Sequence, residues 1–320
     1  MSDNITTTVN GTQPSSCSSD ATAQQIGTTF GYCLVFLVSM GGNTVIGIIV
    51  YKKKTMRKPI NFLIVNMAMS DLLFTIFAVP REIQKFYIDS WLIGGPLGQA
   101  LCKLVFFLAD VSTAVSVQSL VLIAVDRFGA VVYPLRSPLI GSKLCPFLIL
   151  VTWIVAMAFH SPYFFGLKLV EYHGRLVCDW RWEEAFGESS SFESYWFSLL
   201  VALTFIPFVV IGILYIIIFF KLKSQRSPGE QSANAGQQRQ QMERNVLKMS
   251  ISIVLGFGGC WLPYAIGLLL FLFASDIRSC GFHYFLIVAH FVAQANCAIN
   301  PCICFIFSRN YREGLKTLLS

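Results

Sequence analysis

Charged side chains are scarce in this chain of 320 residues: Asp, Glu, Lys and Arg make up 13% of it, about half the share of an ordinary soluble domain. Too little charge is available to cover the surface of a soluble enzyme of this length. No long run of like charge occurs, which excludes a disordered acidic or basic polymer, and no heptad pattern leaves the polar face of a coiled coil. Catalytic signatures are missing too. There is no Gly-x-Ser-x-Gly, no His-Glu-x-x-His and no metal-spaced Cys/His cluster; His160, His173, His283 and His290 are scattered. The N-terminus also lacks the basic-then-apolar order of a signal peptide, so the first apolar block is expected to act as signal anchor.

What is present is apolar bulk: 55% hydrophobic residues, 28 of them Phe, and a mean hydropathy of +0.62. It is gathered into seven blocks, each long enough at about 1.5 Å per residue to cross a hydrocarbon core about 30 Å thick. The blocks run from Phe30 to Tyr51, Asn61 to Pro80, Leu104 to Val125, Leu144 to Leu167, Ser194 to Phe220, Met249 to Ser275 and Gly281 to Phe307. Five contain no charged residue, the second only Asp71 and the third only Asp110. Barrel strands would be shorter and would alternate apolar with polar residues. The expected fold is therefore all-α: a seven-transmembrane helix bundle (29–307) behind an extracellular tail (1–28) and ahead of a short C-terminal segment (308–320).

Basic residues decide which side is cytoplasmic. The loops after the first, third and fifth spans and the C-terminus carry 17 of the 24 Lys and Arg residues against Asp126, Glu230, Glu243 and Glu313, a surplus of 13 positive charges. The positive balance is thus a signal of the inner leaflet, not of a nucleic-acid partner. The N-terminus is placed outside, where Asn4-Ile5-Thr6 and Asn10-Gly11-Thr12 are N-glycosylation sequons. Of ten cysteines, Cys17, Cys102, Cys178 and Cys280 fall outside, where disulfides persist; four allow three pairings.

Polar groups within spans are costly and mark function. Asp71 sits at mid-depth with Asn43, Ser112, Ser116, Asn296 and Asn300 at matching depths. These groups suit either a small hard cation or an interhelical hydrogen-bond network. Pro80, Pro162, Pro207, Pro263 and Pro301 each remove a helix hydrogen bond, giving either pivots or static kinks. Arg127 and Glu243 both reach the inner boundary, where a salt bridge of about 1 kcal/mol would latch the third and sixth spans reversibly.

The ordered set Gly42-Asn43 with Val45; Asn66, Ser70 and Asp71; Trp91 and Gly94; Cys102; Asp126-Arg127-Phe128; Trp153; Cys178; Pro207 and Tyr215; Phe257 with Cys260-Trp261-Leu262-Pro263; and Asn300-Pro301 resembles the rhodopsin-like (class A) G-protein-coupled receptors. The resemblance implies a plasma-membrane receptor acting on a heterotrimeric G protein. It implies a Cys102–Cys178 disulfide, beside which Cys17–Cys280 is a further pairing. It implies a sodium pocket at Asp71, Ser116, Asn296 and Asn300, with no other cofactor. Trp261 resembles the toggle beneath the ligand, and Pro207 with Val117 and Phe257 the connector. Arg127, beside Asp126, matches the residue that engages the G protein, and Arg127 with Glu243 matches the latch. Pro301 and Tyr215 complete the switch residues. Residues from Ser308 to Leu319 match the amphipathic eighth helix. Cys304 departs from the family's Tyr three residues after Pro301, which removes a hydroxyl from the contact to Tyr215.

Ligand class follows from what the cavity lacks. The seventh span has no Lys for a retinal Schiff base, and the acidic position of aminergic receptors falls on Ala109, one residue before Asp110. Glu171, Asp179, Glu183, Glu184, Glu188 and Glu193 share one outer loop with Trp180, Trp182, Tyr195 and Trp196. Acidic groups among aromatics suit a basic or amidated neuropeptide, as in the galanin, allatostatin and RFamide receptor groups, which the chain is most similar to. An amine or small molecule is the alternative within the class, and a transporter or channel outside it, although no half of the chain repeats the other. Cavity residues expected at one depth are Arg81, Glu82, Asp110, Thr113, Tyr264, His290 and Gln294.

Overall fold

The structure, a computed structural model, describes residues 21–88, 90–134, 136–224, 234–273 and 279–319, without the side chains of 21, 23, 234–243 and 272–273. Seven helices among them are long and apolar enough to span a membrane. They are α1 (Ala21–Lys52), α2 (Pro59–Tyr87), α3 (Gly95–Val132), α4 (Leu144–His160), α5 (Phe192–Ser224), α6 (Asn234–Phe273) and α7 (Cys280–Phe307). An eighth, α8 (Arg309–Leu319), packs back on the bundle.

Most helices outrun the apolar blocks that announced them. α1 starts at Ala21, so the tail expected to reach residue 28 is helical over its last eight residues, and α2 continues past Pro80 to Tyr87. Hydropathy marks where lipid ends, whereas backbone hydrogen bonding continues the helix into water. The fourth block is interrupted: α4 stops at His160, and a single turn from Tyr163 to Gly166 follows Pro162. In α5, a π-helical turn from Val201 to Phe205 precedes Pro207, the register slip expected where proline cannot donate its N–H.

One element has no counterpart in the all-α expectation. The loop between α4 and α5 forms an antiparallel hairpin, β1 (Leu167–Tyr172) and β2 (Arg175–Trp180). His173 and Gly174 both take positive φ, 49° and 77°, as a two-residue hairpin turn with the right twist requires. A disulfide from Cys102 at the start of α3 to Cys178 in β2 pins the hairpin over the bundle.

Among the described residues the two larger of three buried apolar clusters hold most of the helices. Near α8, Ile46, Leu63, Leu120, Ile253, Phe257 and Tyr311 share one cluster; under the hairpin, Cys102, Val115, Ala156, Tyr163 and Leu203 share another. Large apolar residues such as Phe219, Phe220, Leu255 and Leu262 point outward, the arrangement that suits a lipid solvent. At Gly42 an added Cβ would lie 2.6 Å from Pro301 Cβ. Glycine there allows α1 and α7 to touch.

Candidate functional site

A buried polar seam runs through the middle of the bundle, centred on Asp71 of α2. Its Oδ2 accepts from Asn300 Nδ2 of α7 at 2.8 Å, and its Oδ1 from Ser116 Oγ of α3 at 3.3 Å. Ser116 also meets the Ser70 hydroxyl at 2.7 Å. One helical turn away, the Ser39 and Thr75 hydroxyls are 2.6 Å apart, and Asn43 Nδ2 donates to Ser39 and to the Cys297 carbonyl. Asn66 joins three helices: its Nδ2 donates to Ser119 Oγ at 2.9 Å, and its Oδ1 accepts from Trp153 Nε1 at 2.8 Å. Apart from the Asn43–Ser39 bond within α1, each link crosses between helices, because lipid offers these groups no alternative partner.

A small cavity of about 20 Å³ opens on this seam, lined by Asp71, Ser112, Ser116, Asn296, Trp261, Phe257 and Gln294. Thr113 lines it as well. Asn296 Oδ1, Asn300 Oδ1 and Gln294 Oε1 are buried acceptors with no hydrogen-bond partner. The four residues expected to form an oxygen-lined pocket, Asp71, Ser116, Asn296 and Asn300, are thus brought together. Trp261 stacks on Phe257 with centroids 5.9 Å apart, and Phe257 meets the Phe208 ring of α5 at a tilt, 5.5 Å away. Phe257 and Val117 are buried in the same core, and Phe257 also lines the cavity.

Toward the hairpin, the expected ligand residues divide into three groups. Glu82, 4% exposed, accepts through one oxygen from Arg81 Nη2 at 2.6 Å, Arg81 Nε at 3.2 Å and Lys85 Nζ at 3.1 Å. Arg81 also lies over the Phe106 ring, 4.1 Å from its centroid. The second group links α6 to α7: Tyr264 packs on His290 at 4.9 Å, and His290 Nε2 meets Gln294 Nε2 at 2.9 Å. Asp110 forms the third: its Oδ2 accepts from Tyr163 at 2.7 Å, beside Trp180, Trp182 and Tyr195. Lys85 was missed, although Glu82 and Lys85 at i,i+3 are a legible helical pair. Tyr163 carries no such signal, since its partner lies 53 residues away.

The acidic outer loop is more neutralised than its sequence suggests. Glu184 pairs with Lys168 at 2.8 Å, and Arg181 lies 3.6 Å from Asp179 and 3.8 Å from Glu184. The hydrogen bond from Lys168 holds the Glu184 carboxyl below the usual carboxylate range.

At the opposite end, Arg127 forms its ion pair with its neighbour Asp126, through Nε at 3.1 Å and through Nη2. The expected latch to Glu243 lies outside the described side chains, as do Asn4, Asn10 and Cys17 outside the described residues. Cys280 is disulfide-bonded. Tyr215 OH and Cys304 are both buried at this end.

A hairpin thus lies over one end of the seven-helix bundle, a buried polar seam runs through its middle, and a paired arginine stands at the far end. The model for the 7 transmembrane receptor (rhodopsin family) matches residues 42–303, and the chain belongs to that family, the rhodopsin-like G-protein-coupled receptors. Similar proteins include a QRFP-like peptide receptor of Branchiostoma floridae, 29% identical over 296 residues that cover 90% of this chain and 76% of that protein. The RYamide receptor of Drosophila melanogaster is 30% identical over 292 residues, covering 90% and 62%. Neuropeptide Y receptor type 1 of Xenopus laevis is 30% identical over 296 residues, covering 89% and 78%.

Proposed function

We propose that the chain is a plasma-membrane receptor for an extracellular, amidated or basic neuropeptide, which it converts into activation of a heterotrimeric G protein. The observation that carries this reading is the cavity inside the bundle, which Gln294 of the Tyr264–His290–Gln294 group lines together with Trp261, Phe257 and Asp71. Peptide receptors recur among the similar proteins. The hairpin end faces outward and the basic α8 end inward, in keeping with the positive-inside bias.

In this reading the peptide shifts a two-state equilibrium by binding the state in which α6 has moved outward. Movement of α6 requires Phe257 to leave the ring of Phe208, and it uncovers Arg127 once Asp126 releases it. The Asp126–Arg127 pair is partly buried, so its exchange for a partner's acceptor is a small, reversible step.

Asp71, Ser116, Asn296 and Asn300 fit a sodium ion. Their carboxylate, hydroxyl and amide oxygens are hard donors, and two of the amide oxygens are otherwise unpartnered. A bound sodium supplies a positive charge beside Asp71. Within the chain, Asn300 and Ser116 orient that carboxylate, and Trp261 lines the cavity beside it.

The test is a screen of amidated and free-acid peptides for G-protein activation in cells expressing the full chain. Activation by an amidated peptide that is lost in Arg127→Ala supports the reading. A response undiminished in Arg127→Ala overturns the mechanism, and substrate flux without any G protein overturns the function. For sodium, agonist affinity should lose its sodium sensitivity in Asp71→Asn, and retained sensitivity refutes the assignment.

A further inference from the structure

Gln294 of α7 stands between two sites. One helical turn toward the hairpin, its Nε2 lies 2.9 Å from Nε2 of His290, whose ring packs on Tyr264. Toward the seam, the same side chain lines the cavity with Asp71 and Asn296. Gln294 is 6% exposed, whereas His290 is partly exposed.

Chemistry places the protons of this contact. An amide nitrogen only donates, so His290 Nε2 accepts through its lone pair. The imidazole is then neutral and carries its proton on Nδ1, which has no hydrogen-bond partner among the described residues. The amide oxygen is left over. Gln294 Oε1 is buried without a partner, as is Oδ1 of Asn296 in the same cavity wall. Buried acceptors left unpaired are costly, and two of them at one cavity call for a cation or for N–H donors.

A glutamine amide can meet either demand. Its oxygen and nitrogen ends have nearly the same shape, and its last torsion is broad and roughly two-fold, so a half-turn disturbs little packing. In the present orientation the oxygen end remains for the cavity. After a half-turn, Oε1 accepts from a protonated His290 Nε2 and the amide N–H groups serve the acceptors of the cavity. One proton then leaves Nδ1 and one joins Nε2, exchanged with water at the partly exposed ring. Both arrangements satisfy the histidine. They differ in the cavity, where the first suits a cation and the second suits none.

Resting on the sodium site proposed above, we propose that Gln294 is a positioning residue that sets which hydrogen-bond polarity His290 shows the ligand, according to whether the seam holds a cation. With a cation beside Asp71, Oε1 is held toward the cavity and His290 offers an Nδ1–H donor. With none, the amide turns and Nδ1 offers a lone pair. A terminal carboxylate can use only the donor form, whereas a terminal carboxamide, with both C=O and N–H, can use either. The ion and the outer cavity are thereby linked through one amide, without movement of a helix.

The experiment uses the full chain in nanodiscs, its histidines labelled with an NMR-active nitrogen isotope. Spectra are taken in sodium chloride and in N-methyl-D-glucamine chloride of equal ionic strength, at mildly alkaline pH so that imidazole is neutral. Nitrogen shifts separate protonated from unprotonated ring nitrogens, and the His290 signals are assigned by their loss in His290→Gln. Sodium binding is read in the same samples as sodium-dependent thermal stabilisation. Sodium is expected to raise the ratio of the Nδ1–H to the Nε2–H form about fivefold, the equivalent of about 1 kcal/mol or one ordinary hydrogen bond. Gln294→Met, close in shape but without an amide, should lose this shift while sodium still stabilises it through Asp71, Ser116, Asn296 and Asn300. Asp71→Asn should lose both effects. Stabilisation by sodium without a tautomer change in the wild type overturns the role of Gln294 and leaves the sodium site standing. A tautomer shift that survives in Gln294→Met overturns that role as well. No stabilisation by sodium in the wild type overturns the sodium site and the role of Gln294 together.

Discussion

Replacing Glu82 by Gln leaves the shape of the Arg81–Glu82–Lys85 group intact and removes only its negative charge. Three bonds converge on one carboxylate oxygen, at 2.6, 3.1 and 3.2 Å. A bond to a charged group contributes about 1.5–3 kcal/mol and a neutral one about 0.5–1.5, so the change costs about 1 kcal/mol per bond. Side-chain exposure is 6% for Glu82, 18% for Arg81 and 35% for Lys85, so the Lys85 contribution is reduced by solvent. The expected loss is about 2 kcal/mol for Glu82→Gln, somewhat less for Arg81→Gln, and under about 1 kcal/mol for Lys85→Gln. Thermal inactivation half-lives of the purified, ligand-free receptor give the order, because unfolding of a protein of this size is governed by rate. A double-mutant cycle between Glu82→Gln and Arg81→Gln should show coupling of about 1 kcal/mol or more. Were Lys85→Gln the most damaging of the three, or Glu82→Gln indistinguishable from wild type, the charge argument would be wrong.

Other perturbations probe other links. Trp153→Phe keeps an aromatic side chain but loses the pyrrole half of the indole and with it the donor to Asn66 Oδ1; the hydrogen bond alone contributes about 1 kcal/mol, toward the low end because membrane hydrogen bonds are weak on average, lost packing volume adds to it, and unchanged stability in the same inactivation assay would count against it. Cys102→Ser cuts the hairpin from α3 and should cost about 2–5 kcal/mol, seen as loss of surface expression and faster amide exchange in β2. The Lys168–Glu184 pair should respond to acid. The folded-state Glu184 pKa is lowered, so the pairing is present above the unfolded value of about 4.3 and is lost as pH falls through the lower folded value. Exchange of hairpin amides that rises already near neutral pH would refute that sign.

Several features were legible because they are local. Seven apolar blocks need no partner to be recognised, and each became a helix. The turn between His173 and Gly174 was missed, since a short hairpin inside a polar loop carries little periodicity. Among the cavity residues, Arg81 with Glu82 and His290 with Gln294 are close in sequence and did meet. Asp110 was placed by depth alone. Depth does not reveal direction around a helix, and the carboxylate turned to Tyr163.

The amino-acid order by itself determined how many times the chain crosses the membrane, where its charges gather and which polar residues lie at mid-depth, because burial in lipid is decided residue by residue. Only the tertiary structure decided which of those residues meet. Asp71 finds Asn300 across 229 positions, and Tyr311 finds Asn61 across 250. Such pairings depend on the rotation of each helix about its own axis. That rotation is set by packing at places such as Gly42 against Pro301 and Gly314 against Ile49, where two helices approach as closely as a missing Cβ allows.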